Sequence, residues 1–362
     1  MKSTRIQLAV GILISAAILY YALRPVDPRD LWAAFRTCNW WWGVPFVAVT
    51  FLSMWVRALR WRYLMRPVGD FTARRLFSPM MIGFGMNSLL PGRVGELARA
   101  YVLSARGKVP FGSVFATVVV ERIFDTMTLL VLLVVVFARL DVPENLELTY
   151  GGFTITSAML ATLTRQLMWI GAVTLCGSLF LMWDPGRRLI QGMFGRLPFL
   201  PHGIRGKIVG LIGTFADGLH SLRDFRSWAA IIGLSAAVWV LVGFSMQIMA
   251  WGFPGLQVSL AQGVAITVIA AIAILIPAAP GYWGLMQVGI MFALLLLGIE
   301  EDRARALGYA FAVHALQYFP IVAVGLYFLW RERMSFGEIT SMRRQDDETP
   351  VAGPDADGTG SR

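Results

Sequence analysis

Charged side chains are scarce in this sequence: 15% of its 362 residues are Asp, Glu, Lys or Arg, whereas 57% are hydrophobic. Soluble domains usually contain about 25% charged residues, so the composition excludes a chain built mainly of soluble domains. Charge-poor apolar runs recur along the chain, and each is long enough to cross a bilayer at about 20 residues. We therefore expect an all-α polytopic membrane protein, because helices satisfy their own backbone polar groups in lipid.

Cysteine is almost absent, and Cys38 and Cys176 are too few and too far apart to predict a disulfide framework or a metal site. The nucleotide-binding pattern G-x-x-x-x-G-K-[ST] is missing as well, so no ATP site and no cofactor are expected. The net charge of +10 could favour nucleic acid, but the basic residues lie beside apolar spans. That distribution is typical of the positive-inside rule and of contact with anionic lipid, so nucleic acid is not an expected partner.

Eight apolar segments organise the chain. Two of them are interrupted by Pro and Gly, at 76–105 and 259–298, and six are predicted to be full spans, at 6–23, 41–58, 113–138, 166–183, 228–251 and 304–330. The first run is longer than the apolar part of a signal peptide, about 7–15 residues, so we interpret it as a retained span. Basic residues crowd segments 57–75 and 184–227 and follow the last span, which predicts that these segments and both termini are cytoplasmic.

A short pattern occurs in both interrupted segments, as PGRVG at 91–95 and PGYWG at 280–284. Each copy follows an apolar run and precedes another apolar helix. A chance match is the alternative, because the chain contains 36 glycines and 17 prolines. The apolar segments around the two copies follow in the same order, and the basic residues predict that the two copies start on opposite sides of the membrane. Both observations favour an inverted-topology repeat, in which 76–105 and 259–298 are re-entrant hairpins that enter from opposite sides.

Polar residues extend this correspondence to the next span of each half. Arg122 and Asp125 lie three residues apart, and His314 and Gln317 repeat that spacing. We expect a first membrane repeat at 1–138, an external loop at 139–165, a second repeat at 166–335 with a cytoplasmic linker at 184–227, and a disordered cytoplasmic tail at 336–362.

The break in the first hairpin predicts a substrate site. Pro91 and Gly92 should end one helix near Leu89 and allow another to start around Arg93. A helix start at membrane depth directs free N–H groups and a positive dipole end toward an anion. Arg93 can add a two-pronged contact to phosphate. Ordinary residues of an interfacial loop are the alternative interpretation.

Further ionisable residues flank this break. Glu96 could pair with the arginine three residues before it or with Arg99 three residues after it, and it could also carry a proton. Glu121, Arg122 and Asp125 lie inside an apolar span, where ionisable groups should face the protein interior and pair. They could form a polar wall of the substrate cavity or an ion cluster that holds helices together.

The second half offers polar but mostly uncharged candidates, and its histidine could titrate near neutral pH or be a neutral packing residue. The candidate substrate-binding residues are Asn87, Arg93, Glu96, Arg99, Glu121, Arg122, Asp125, Gln287, His314 and Gln317. The candidate structural hinge residues are Pro91, Gly92, Gly95, Pro277, Pro280, Gly281 and Gly284. No catalytic residue and no metal ligand is predicted.

Four motifs together resemble the flippase-like integral membrane family, which shares its domain with the membrane region of lysylphosphatidylglycerol synthases. They are N-x-L-L-P-G-R-V-G-E at 87–96, E-R-I-F-D at 121–125, RALRWRYLM at 57–65 and P-x-x-P-G-x-x-G at 277–284. The resemblance implies movement of lipids or lipid-linked precursors between leaflets. Its motif positions are Asn87, Pro91, Arg93, Gly95, Glu96, Glu121, Arg122 and Asp125. The 362 residues contain no soluble aminoacyltransferase domain, so synthase activity is not expected.

The expected function is a lipid flippase or transporter of a bacterial inner membrane, without enzymatic activity. Its partners would be membrane lipids that are anionic or carry a phosphate. A non-catalytic partner of envelope-biosynthesis enzymes is one alternative, and a membrane-embedded transferase acting on a lipid-linked substrate is another.

Overall fold

The computed structural model describes residues 15–90, 93–139, 147–150, 153–156, 184–196, 225–274 and 280–332, with Leu13 and single positions between 158 and 180. Most of the predicted span 166–183, most of the linker 184–227 and the whole tail 336–362 lie outside the described residues. The same is true of residues 1–12 and of the hinge candidates Pro91, Gly92 and Pro277.

Helices make up most of the described chain. Their bounds are α1 Pro28–Thr37, α2 Gly43–Met65, α3 Ala73–Leu89, α4 Val94–Gly107, α5 Phe111–Arg139, α6 Asp184–Arg196, α7 Phe225–Ala250, α8 Leu260–Ala273, α9 Leu285–Leu296 and α10 Arg303–Arg331. Residues 15–23 are also helical, and 3₁₀ turns lie at Trp40–Trp42 and Pro280–Tyr282.

Three of the described helical stretches are long and apolar enough to cross a membrane by length and composition: Trp40–Met65, Arg226–Ala250 and Arg303–Arg331. They correspond to the predicted spans 41–58, 228–251 and 304–330. The prediction placed the end of the second span too early, because α2 continues through Arg57 and Arg60 to Met65. Both arginines are buried against carboxylates of α5, so they do not mark a loop in water.

One β-hairpin lies in the segment that was expected to be an external loop. Strands β1, Glu147–Tyr150, and β2, Phe153–Thr156, pair antiparallel. This hairpin is a local exception to the all-α class, which the described helices confirm. The signal was present in ELTYGGFTIT, where β-branched and aromatic residues flank a Gly-Gly pair that is typical of tight hairpin turns.

The two interrupted segments reach opposite ends of α10. At its C-terminal end, Glu332 pairs with Arg106 of α4 and accepts a hydrogen bond from Ser78 Oγ of α3 at 2.6 Å. At its N-terminal end, α9 leads into α10 through residues 297–302. The 29 residues of α10 separate its ends by about 43 Å at 1.5 Å per residue. The hairpin of α3 and α4 therefore opens at the end opposite to the pair of α8 and α9.

The tips of the two interrupted segments meet near the middle of α10. The hydroxyl of Tyr318 on α10 donates to the carbonyl oxygen of Ser88 at the end of α3, at 3.3 Å. A Cβ added to Gly281 would lie 3.1 Å from that same oxygen and would crowd the Tyr318 ring. Gly281 is thus wedged between the tip of the first hairpin and α10.

Helix contacts join the N-terminal and C-terminal parts of the described chain. The first arm of each interrupted segment packs on a long helix far from it in sequence: α3 lies on α10, and α8 lies on α5. The long helices α2 and α7 pack on each other between them. One apolar core gathers residues around α7 to α10, and a second gathers residues around α2 to α5. This arrangement surrounds the paired tips with packed helices.

Candidate functional site

The first helix break lies where the sequence predicts it. Helix α3 ends at Leu89, and α4 begins at Val94 with Arg93 as its N-cap residue. Arg93 has left-handed backbone angles, φ 56° and ψ 33°, and its side chain is exposed. Within the described residues it makes no ion pair and no side-chain hydrogen bond. Substitution of Arg93 would therefore remove no side-chain hydrogen bond or ion pair to another described residue.

Two glycines bring α3 and α4 into close contact behind this break. A Cβ added to Gly95 would overlap the carbonyl oxygen of Gly83, and one added to Gly83 would lie 2.8 Å from the Gly95 carbonyl oxygen. Asn87 Oδ1 accepts a hydrogen bond from the Gly95 N–H at 2.8 Å. The structure therefore places Asn87 as a cross-link between the hairpin arms, and it occupies one of the free donors at the start of α4.

Arg60 lies at the centre of a buried ionic cluster that joins α2 to α5 and α7. Its Nη1 donates to Asp125 Oδ1 at 2.6 Å and to Ser235 Oγ at 2.9 Å. Its Nη2 donates to Glu121 Oε1 at 3.0 Å. The side chains of Arg60 and Glu121 are fully buried. Loss of either partner would leave a buried charge unpaired, so these contacts fix α2 against α5.

Three more arginines surround that centre. Arg57 Nη1 lies 3.5 Å from Asp125 Oδ2, and Arg99 Nη1 lies 3.0 Å from Glu121 Oε2. Arg122 Nη2 lies 3.2 Å from Asp125 Oδ2, as their spacing of three on one helix face predicts, and 3.1 Å from Oε1 of its sequence neighbour Glu121. The Arg99 side chain is only 3% exposed, so it does not reach toward a headgroup layer.

Glu96 has a different partner from the two that its spacing suggested. Its Oε1 lies 3.8 Å from Arg122 Nε, and within the described residues it forms no ion pair with Arg93 or Arg99. The left-handed backbone of Arg93 leaves that side chain in the open, and Arg99 is engaged by Glu121. Glu96 therefore links α4 to α5 at the more open edge of the cluster, where its side chain is 20% exposed.

The second break is built around Gln287 and His314. Gln287 Oε1 accepts from the Gly284 N–H at 2.7 Å, and its Nε2 lies 2.9 Å from His314 Nδ1. Because the amide oxygen is occupied as an acceptor, the amide nitrogen donates and Nδ1 accepts, which requires a ring without a proton on Nδ1. The Trp283 ring lies 4.5 Å from the His314 ring. Gln317 is half-buried and has no side-chain hydrogen bond to another described residue.

The turn residues at 280–284 adopt strained or glycine-dependent geometry. Gly281 has φ 74° and Gly284 has φ 90°, and Tyr282 between them has φ 59°. Pro280 starts the 3₁₀ turn that carries this sequence. Backbone conformations of this kind are accessible to glycine at little steric cost, which explains the two glycines of the motif. Among the residues that the structure describes, no group of His, Cys, Asp or Glu could hold a metal ion.

The sequence interpretation missed Arg57, Arg60 and Ser235 as members of the ionic cluster. Arg57 and Arg60 were read as part of a basic cytoplasmic segment. Their signal was that Arg57 and Arg60 lie three residues apart inside an apolar helix, while the acidic residues Glu121 and Asp125 of ERIFD lie four apart in another. Both spacings put the two charged groups on one face of a helix. An arginine pair in one apolar helix and an acidic pair in another predict that the two helices form ion pairs with each other.

Comparisons with known proteins show a family and several relatives to which this sequence is similar. A model of the family described as lysylphosphatidylglycerol synthase TM region matches residues 8–325. The glycosyltransferase AglD of Haloferax volcanii is 25% identical over 251 residues, which cover 66% of this chain and 40% of that protein. A UPF0104 membrane protein of Methanothermobacter thermautotrophicus is 30% identical over 129 residues, or 35% of this chain and 38% of that protein.

A UPF0104 membrane protein of Methanocaldococcus jannaschii is 34% identical over 74 residues, which cover 20% of this chain and 22% of that protein. The chain thus spans less than half the length of each of these three archaeal relatives. The family match extends over most of the chain and agrees with its long apolar helices. The protein is a multi-pass membrane protein and belongs to the lysylphosphatidylglycerol synthase TM region family.

Proposed function

We propose that this protein moves a phosphate-bearing lipid or lipid-linked precursor between the leaflets of the cytoplasmic membrane. The main support is that two interrupted helix pairs, α3 with α4 and α8 with α9, enter from opposite ends of α10. Their tips meet at Ser88 and Gly281, beside Tyr318 of α10. Irregular backbone at membrane depth is tolerated where protein or a water-filled cavity surrounds it. Transporters place their substrate sites at such breaks near the bilayer midplane.

An inverted repeat is part of this proposal, with copies in residues 1–138 and 166–335. The third residues of the two PGxxG motifs, Arg93 and Tyr282, both have left-handed backbone with φ 56° and 59°. The reciprocal packing of α3 on α10 and of α8 on α5 supports the same pseudo-symmetry. Rocking one half against the other would then expose the tips to each leaflet in turn.

The headgroup would enter at the start of α4, while the acyl or prenyl chain stays in lipid. The exposed guanidinium of Arg93 stands at that helix start, where the dipole favours an anion. The family relationship to lysylphosphatidylglycerol synthases, together with similarity to a protein named as a glycosyltransferase, supports a lipid or lipid-linked glycan as the substrate class.

A leaflet assay tests the proposal. The purified protein is placed in liposomes that contain a fluorescent phospholipid or a short-chain polyprenyl phosphate, and an impermeant quencher reports which molecules have reached the outer leaflet. We expect protein-dependent movement, reduced at least tenfold by Arg93→Asn. Asparagine removes the charge and tolerates left-handed backbone, so the helix start is preserved.

Arg62→Asn is the matched control, because Arg62 is exposed on α2 and lies outside the ionic cluster. Normal movement in Arg93→Asn would refute a headgroup contact at this arginine. Absence of movement for both lipid classes, from protein shown to be folded, would refute the transport proposal.

A role in lipid-linked glycan assembly is a second candidate, and the similarity to the glycosyltransferase AglD favours it. The protein would then be a membrane-embedded transferase or a non-catalytic partner of the biosynthetic enzymes. Incorporation of labelled sugar from a nucleotide sugar into polyprenyl phosphate by the purified protein would support the transferase. If the label appears only when the other enzymes are added, the partner role is favoured.

A further inference from the structure

The ionic cluster has more hydrogen-bond donors than acceptors. The buried side-chain atoms that lack a hydrogen bond within the described residues are Arg57 Nε, Arg60 Nε, all three guanidinium nitrogens of Arg99, Arg122 Nε, Trp239 Nε1 and Glu121 Oε2. Arg99 Nη1 and Glu121 Oε2 face each other at 3.0 Å as an ion pair. The other six atoms are all N–H donors. Buried polar groups normally have partners, so a surplus of one kind points to a missing partner of the opposite kind.

The orphan donors belong to neighbouring side chains on four helices. The Arg57 guanidinium lies 5.3 Å from the Trp239 ring of α7, and the Arg99 guanidinium lies 5.0 Å from the Trp61 ring of α2. Arg57 and Arg122 both approach Asp125, so they share one carboxylate. Trp239 can only donate through its indole nitrogen, and arginine has no acceptor at all. A ligand rich in acceptors would satisfy this set.

The charge balance of the cluster points the same way. Its arginines are Arg57, Arg60, Arg99 and Arg122, and its carboxylates are Glu96, Glu121 and Asp125. Four positive groups therefore face three negative groups among these described residues. Uncompensated charge inside a membrane protein is costly, so one further negative charge would complete the cluster.

We infer that Arg57, Arg99 and Arg122, together with the Trp239 indole, bind one phosphate group, either as the free ion or as part of a lipid headgroup. Guanidinium groups bind phosphate oxygens with paired, charge-assisted hydrogen bonds. Arg60 is the positioning residue, because two carboxylates and Ser235 already engage its Nη atoms. If the phosphate belongs to a lipid headgroup, the inference rests on the proposed function and adds a buried site to the exposed contact at Arg93.

Access to this site lies between α4 and α5. The Arg122 side chain is 31% exposed and that of Glu96 is 20% exposed, whereas Arg57, Arg60 and Arg99 are at most 8% exposed. The longest ion pair of the cluster, 3.8 Å, joins Glu96 to Arg122 across this edge. Movement of α4 would therefore open the site, since this helix carries both Glu96 and Arg99.

A stability titration of the full chain in detergent tests the site. The thermal midpoint is measured in chloride-free buffer with inorganic phosphate, with dioctanoyl phosphatidylglycerol, or with uncharged dioctanoylglycerol. A ligand that binds the folded state raises its stability with concentration, which gives an apparent Kd. The variants are Arg99→Gln, Glu121→Gln and, as a matched control on α2, the exposed Arg62→Gln.

We expect at least a tenfold increase in the apparent Kd for the phosphate-bearing probes in Arg99→Gln, with no change in Arg62→Gln. In the absence of phosphate, Arg99→Gln should unfold near the wild-type midpoint, because it removes the surplus charge. Glu121→Gln should unfold earlier and be stabilised more by phosphate than the wild type, because it raises the surplus. A purely structural cluster would lose stability in both variants and would not respond to phosphate.

Binding of either phosphate probe that weakens in Arg99→Gln supports the site. A response to inorganic phosphate identifies the free ion as a ligand, and a response to phosphatidylglycerol alone identifies the lipid headgroup. Equal responses to phosphatidylglycerol and dioctanoylglycerol, without a response to inorganic phosphate, would overturn it. So would equal responses in the wild type and Arg99→Gln. Lipid movement in the leaflet assay without this phosphate binding would refute the buried site and leave the proposed function standing. Phosphate binding without lipid movement would refute the proposed function and leave the buried site standing.

Discussion

Gly95→Ala should destabilise the first hairpin strongly, because the added methyl group has no room. It would overlap the Gly83 carbonyl oxygen and lie 2.7 Å from both the Asn87 nitrogen and Asn87 Oδ1. These atoms belong to backbone or to a hydrogen-bonded side chain, so α4 must move away from α3. Overpacking costs about 1–3 kcal/mol, and loss of the hydrogen bond from Asn87 to Gly95 costs about 0.5–1.5 kcal/mol. The expected loss in the free energy of unfolding is about 1.5–4.5 kcal/mol.

The measurement is unfolding of the purified protein in detergent, with Gly233→Ala as the matched control. Gly233 lies within α7, and a Cβ added there would meet no atom within 4 Å. Alanine is a better helix former, so the control should be unchanged or more stable by up to about 1 kcal/mol. We also expect Gly95→Ala to reduce lipid movement, since the start of α4 is displaced. If Gly95→Ala unfolds like the control, α3 and α4 do not make this contact.

Two further predictions concern buried polar contacts and use the same unfolding assay. Gln287→Leu should lower the free energy of unfolding by about 1–3 kcal/mol, because it leaves the Gly284 N–H without its acceptor at 2.7 Å; wild-type stability would contradict this role of Gln287. Asp125→Asn should cost about 3–5 kcal/mol, because Arg60 loses the nearer of its two carboxylate partners, at 2.6 Å, and the buried cluster gains a further unpaired positive charge. Glu300→Gln is the control, because it weakens a more exposed ion pair with Arg305, and it should cost less than about 1 kcal/mol. Equal losses in the free energy of unfolding for Asp125→Asn and Glu300→Gln would show that burial does not strengthen the ion pairs of the cluster.

The positions of the helix breaks could be predicted because their causes are local. Proline removes a backbone donor and blocks the preceding turn, so the pattern around Pro91 predicts the end of α3 at Leu89 and a new helix near Arg93. The same reasoning locates the turn at Pro280. Turn residues fix the backbone through contacts within a few residues, and such contacts are fully visible in a sequence.

The partners of the charged residues could not be predicted in the same way. Spacing along one helix suggested partners for Glu96 on α4 itself, whereas its carboxylate faces Arg122 on α5. Arg57 and Arg60 were assigned to a loop, because a count of basic residues does not distinguish an arginine in water from one paired across helices. Which arginine meets which carboxylate depends on how α2, α4 and α5 pack against each other, and no pattern within a few residues determines that packing.

The two breaks differ in charge, and this asymmetry follows from what surrounds each tip. Behind the first tip, Arg99 joins a cluster whose arginines exceed its carboxylates by one. Behind the second, Gln287 and His314 satisfy each other without any charge. An anion would therefore be held by the first half, while the second half offers neutral groups and the Trp283 ring. Under the proposed function, a headgroup that passes between the tips must also be released, and tight binding at both tips would prevent that release. We therefore expect the charged first tip to bind the headgroup and the neutral second tip to let it leave.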